Sequence, residues 1–208
     1  MFTEPEAWKE EWGADNLVFA TEHCDKLPVI ALGFLISHGL PRRIALKNPS
    51  VGNWEMTVST EISFEPLFKP LRSFTTGMSW GDFYDAELDD DWSQQIVIGA
   101  EWSTQREASY CVHRLDETIK WIDLESEPPN YFVNSSLPQY GECLLLAVRW
   151  SKAIHEAGTS EWKSSLYRLA DEIEAVDAEV FKQRYSQWSR LIEFALENEP
   201  GFLEITNG

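Results

Sequence analysis

Basic side chains are scarce in this sequence. Seventeen lysines and arginines stand against 35 aspartates and glutamates, a formal net charge of −18 over 208 residues. A surface of that sign repels phosphate backbones, which argues against direct nucleic-acid binding and favours association with basic proteins. Cysteine is nearly absent too. Cys24, Cys111 and Cys143 are scattered and cannot all pair, which fits reduced thiols in a cytoplasmic protein. No apolar run approaches the ~20 residues that a bilayer span needs. LPVIALGFLI is half that length and suits a buried helix, and the acidic opening MFTEPEAWKEEW carries no signal-peptide core. No membrane partner is expected.

The patterns that announce chemistry are missing as well. There is no CxxC or HExxH spacing, no GxSxG elbow and no glycine-rich phosphate loop. Cys111 and His113 would share one face of a strand, but nothing extends them into a ligand set. No cysteine sits where a helix start or glycine elbow would lower its pKa. The expectation is a protein with no cofactor, no metal and no catalytic centre.

What is present is a folding pattern. Hydrophobic residues make up 43% of the chain and tryptophan occurs ten times, far from the composition of a disordered segment. A single domain over 1–208 is expected, with an N-terminal extension at 1–26, a helix plus a sheet at 27–134 and C-terminal helices at 135–200. Thr3 and Glu6 form a capping-box pattern ahead of Trp8 and Trp12. Residues 28–38 read as a helix with the apolar face Val29, Ile30, Leu32, Phe34, Ile36, stopped by Gly39 and Pro41.

WEMTVSTEISF, QIVIGAEW, ASYCVHRL, TIKWIDL and NYFVN then read as strands, with a hairpin at Asp116-Glu117 and a bulge or close approach at Gly99. Beyond Ser136, a cap, three apolar stripes at helical spacing run through Leu144, Leu169 and Trp188. Helices at both ends of grouped strands predict an α+β fold, a central, mostly antiparallel sheet flanked by helices, with a helical C-terminal third.

One stretch stands apart. WGDFYDAELDDDW packs six acids (Asp82, Asp85, Glu87, Asp89, Asp90, Asp91) and four rings (Trp80, Phe83, Tyr84, Trp92) into thirteen positions, and no lysine or arginine lies between Ser73 and Gln105. Asp85, Glu87 and Asp89 imitate the first ligands of a calcium loop. However, Asp90 stands where that turn requires glycine, and Ile96 where it requires a bidentate glutamate. A hydrolase needs two acids in unlike environments, one held protonated, whereas a solvated cluster keeps all its members ionised. Two readings remain. Either the rings anchor a loop while the acids face water, or the rings supply holding energy and the acids attract a cationic partner.

Several segments, in order, resemble the SUKH superfamily, which is named after the yeast regulator Smi1/Knr4, and within it the SUKH-4-type bacterial immunity proteins. They are HGLP (His38 to Pro41), IVIG (Ile96 to Gly99), YCVHRLDETIKWIDL, YFVNSSL (Tyr131 to Leu137) and LADEIEAVDAEVF, with Trp188 seven residues beyond. Many members carry glycine where this chain has Glu117-Thr118, and often proline where it has Ala178. The resemblance implies a compact α+β domain without a catalytic centre, a protein that binds a cognate toxin domain and blocks it. A toxin acting on nucleic acid must be basic, so an acidic plug suits its phosphate groove. With the resemblance, the stretch from Trp80 to Trp92 reads as the partner-binding surface. The rivals are a regulatory scaffold of the Smi1/Knr4 kind and a small carboxylate-dependent hydrolase.

Overall fold

The computed structural model of the chain describes residues 2–20, 27–47, 55–59, 94–102, 107–123, 130–157, 162–197 and 204–206. Its centre is a seven-stranded antiparallel sheet. In chain order the strands are β3 (Arg43–Lys47), β4 (Glu55–Ser59), β5 (Gln95–Trp102), β6 (Glu107–His113), β7 (Ile119–Ile122), β8 (Asn130–Asn134) and β9 (Glu204–Thr206). They lie side by side as a meander from β3 to β8, and β9 returns to pair with β3 at the far edge. A separate two-stranded ladder joins β1 (Leu17–Val18) to β2 (Leu40–Pro41). Among the described residues the α-helices are α1 (Pro5–Trp12), α2 (Val29–Ser37), α3 (Leu137–Ala157), α4 (Trp162–Val176) and α5 (Gln187–Glu197). The α+β architecture expected from the sequence is the one observed.

Period-two alternation sorts the sheet into two faces. Ile96, Ile98, Tyr110, Val112, Ile119, Trp121 and Val133 join the core that α3 and α4 complete with Leu137, Tyr140, Leu144, Leu145, Leu166 and Leu169. Tyr110 stacks on Tyr140 at 5.7 Å, which fastens sheet to helix. Each fully buried aliphatic side chain such as Ile119 or Leu145 contributes about 1.5–3 kcal/mol. In β5 the register shifts between Val97 and Gly99, so the glycine marks a bulge.

The N-terminal helices lie against α3, and Gly141 makes that approach possible. A Cβ there would meet Phe34 Cζ at 2.7 Å and Trp8 Cη2 at 3.0 Å. The capping box expected from Thr3 and Glu6 does not form. Glu4 is the N-cap and no side chain caps it, while Pro5 fills the first turn, where its missing N–H is no loss. Thr3 instead donates its amide and its hydroxyl to the buried Glu142 carboxylate on α3, and Glu6 pairs with Lys9. A long-range acceptor has displaced the local one.

Two other expectations shift. Pro28 stands just outside α2, and of the apolar face read from its sequence only part is buried. Ala31, Phe34 and Leu35 face the core, while Val29, Ile30 and Ile36 face solvent. Among the C-terminal stripes, Phe181 lies in the link between α4 and α5 and packs on the core from there. No helix among the described residues is long and apolar enough to cross a membrane.

Candidate functional site

All ten residues singled out as partner-binding, Trp80, Asp82, Phe83, Tyr84, Asp85, Glu87, Asp89, Asp90, Asp91 and Trp92, lie outside the described residues. The described chain resumes at Gln94, two positions past Trp92, and its carbonyl accepts the Arg114 amide at 2.8 Å. β5 therefore begins beside the turn between β6 and β7.

That turn is held by its own polar groups. The His113 amide donates to the Thr118 carbonyl at 2.8 Å and the Glu117 amide to the His113 carbonyl at 2.9 Å. Asp116 Oδ1 accepts from the Thr118 hydroxyl at 2.7 Å and from its amide at 3.0 Å. His113 Nδ1 lies 2.9 Å from Asp116 Oδ1 and 3.3 Å from the Asp116 amide. Partial burial opposes ionisation of Asp116. Hydrogen bonds from Thr118 and the adjacent His113 outweigh it, and the carboxyl is held below its ordinary value. Glu117 adopts φ 64°, the left-handed region that favours glycine, at the place where many SUKH members carry one. Leu115, at the tip, is 76% exposed.

The sheet face turned away from α3 carries Gln95, Val97, Cys111 and His113, all buried. Gln95 lies opposite His113 in the ladder, and among the described residues neither of its amide atoms has a hydrogen-bond partner. Burial pushes the Cys111 thiol far up, and it pushes Cys143 up to about 12. Thiols held neutral in this way are poor nucleophiles. Among the described residues no three His, Cys, Asp or Glu side chains are grouped to hold a metal ion.

The YFVNSSL segment is a polar knot. Asp177, 2% exposed at the end of α4, accepts from the Ser135 amide at 2.6 Å, the Ser135 hydroxyl at 2.9 Å, Asn134 Nδ2 at 3.1 Å and the Glu179 amide at 3.2 Å. Asn134 Oδ1 accepts the Trp188 indole N–H at 3.0 Å, which ties α5 into the same cluster. Ser136, expected to cap α3, donates its hydroxyl to Gln139 Oε1 instead, and the acceptor that matters is Asp177, 42 residues downstream of Ser135. On β8, Tyr131 meets Trp121 and Tyr185 edge-on, and Arg190 lies over Trp121 and Tyr131. Local sequence carries no sign of either cluster, because both are assembled from distant elements.

Among the described residues, Asp116 and Thr118 hold a turn, Asn134, Ser135 and Asp177 hold a junction, and burial keeps the Cys111 and Cys143 thiols neutral. Searches of curated proteins and of solved structures find no match to the chain. A family model does match, described as SUKH-4 immunity protein, over residues 4–194. That span takes in α1, every strand from β1 to β8 and almost all of α5, including the Asn134–Asp177–Trp188 knot. The chain belongs to the SUKH-4 immunity protein family.

Proposed function

We propose that the chain neutralises a cognate toxin domain by stoichiometric binding in the cytoplasm, and that it performs no catalysis. The family match over residues 4–194 carries this reading. The partner is a basic protein, in the first instance a nuclease or another toxin that acts on nucleic acid, because a chain of net charge −18 attracts such a surface. Trp80, Asp82, Phe83, Tyr84, Asp85, Glu87, Asp89, Asp90, Asp91 and Trp92 form the docking segment. Crowded carboxylates repel one another in the free protein, and a cationic partner relieves that repulsion on docking. The rings then supply rigid contact area, the role aromatics take at binding hot spots.

The test is the rate of complex formation with the toxin domain encoded beside this gene. Asp89→Asn, Asp90→Asn and Asp91→Asn together should slow association about tenfold at low salt, within the range that steering supplies. The difference should shrink as salt rises, with the melting temperature unchanged. An association rate equal to that of the wild type at every ionic strength would remove the stretch from the interface. Absence of both a toxin neighbour and a toxin complex would favour the scaffold reading.

A further inference from the structure

The outer stripe of α2 is an apolar surface that the fold does not use. Val29 is 84% exposed, Ile30 55% and Ile36 43%, with Gly33 exposed among them. Positions 29, 33 and 36 follow one another at helical spacing and form one stripe, with Ile30 on its shoulder. The nine residues of α2 include no charged side chain at all. A surface helix ordinarily turns polar residues outward, and while one exposed aliphatic residue needs no explanation, a continuous stripe does.

Gly33 is an independent observation. Glycine inside a helix is worse for stability than alanine. Here nothing among the described residues lies within 4 Å of a Cβ built at that position, so none of them requires the gap. The backbone is not in the positive-φ region that demands glycine either. A side chain left out without internal cause bares the helix backbone, as is needed where another segment comes close.

The surroundings indicate what that segment is. α1 packs beside α2 through Trp8 and Phe34, whose rings are 5.5 Å apart, and α1 and its N-cap present Glu4 and Glu10 to solvent. An apolar stripe on a helix whose neighbour exposes acids, in a chain of net charge −18, fits an apolar segment of a cationic protein. A second copy of a −18 chain would be repelled.

We propose that Val29, Ile30, Gly33 and Ile36 form a docking stripe for an apolar segment of the cationic toxin, beyond the acidic stretch. This rests on the immunity reading. The two surfaces divide the work. Charge sets how fast the partners meet, and the desolvated apolar contact sets how long they stay together.

The experiment uses the full chain, the variants Gly33→Ala and Val29→Ser, and the toxin domain from the neighbouring gene. Gly33→Ala should raise Tm by about 2–4 °C, because alanine is the better helix former and has room. Val29→Ser, at a site 84% exposed, should leave Tm within about 1 °C. Both variants should dissociate from the toxin about tenfold faster with association unchanged, the reverse of the effect expected for the Asp89, Asp90 and Asp91 substitutions. A gain in stability joined to a loss of binding at Gly33 is something a purely structural role would not produce.

Dissociation rates within about twofold of the wild type in both variants would overturn the stripe while leaving the immunity reading standing. Sedimentation of the chain alone as a dimer that Val29→Ser dissociates would assign the stripe to a second copy and overturn the proposal. Failure of the wild type to bind the toxin would overturn the immunity reading itself, and this inference with it.

Discussion

Two regions of the molecule treat their side chains in opposite ways. At the junction of β8 with α3, Asn134, Ser135, Asp177 and Trp188 pair with one another at 2.6–3.1 Å. Along α2, a Cβ built at Gly33 would meet nothing within 4 Å among the described residues, and Val29 and Ile36 face water. The polar motif at the strand-to-helix junction is architecture, whereas the apolar run, which looks like core, leaves surface to spare. Polarity alone is a poor guide to function here. What distinguishes the two regions is whether the fold itself satisfies the groups it presents.

Asp177→Ala should give the largest effect. It strips the acceptor from the Ser135 amide and hydroxyl and from Asn134 Nδ2 together. With a cost of about 1–3 kcal/mol for each orphaned buried donor, partly relieved by relaxation, the expected loss is about 3 kcal/mol or more in urea denaturation. A loss below about 1 kcal/mol would mean that the knot is incidental, and the contrast with α2 would collapse. The α2 stripe should respond with the opposite sign and a smaller size, since Gly33→Ala adds stability.

Smallest is the effect at Asp116. Its folded pKa lies below the ordinary 3.8, so the ionised carboxylate is the stabilising form. That contribution is present above the unfolded pKa and is lost as pH falls through the folded value. Asp116→Asn should therefore melt slightly lower than the wild type near neutral pH, and the gap should close on acidification below the ordinary 3.8. Asp116 is 57% exposed, so solvent screening keeps the effect small. A gap that widens with acid would contradict the hydrogen-bonded turn.

Much of the sheet is legible in local sequence. QIVIGAEW and NYFVN coincide with β5 and β8, Gly99 marks the bulge, and Glu117 occupies a left-handed turn position. Period and turn chemistry are local properties, so short windows reveal them. Contacts between distant residues leave no such trace. Thr3 reaches Glu142 across 139 positions, and Ser135 reaches Asp177 across 42. β9 is three residues long and exists because β3 offers an edge, which nothing in Glu204–Thr206 announces. The outward turn of α2 was hidden for another reason. A helix apolar on every side has no polar face to declare which side is buried. The stretch from Trp80 to Trp92 lies outside the described residues and stands on its composition.

Titrating the toxin's activity with the purified chain tests the account most directly. Stoichiometric neutralisation predicts a straight fall to zero activity at one equivalent, with full activity recovered when the complex is taken apart. Inactivation by a small fraction of an equivalent, deepening with time and persisting after separation, would mean that the chain acts by turnover and would contradict the account.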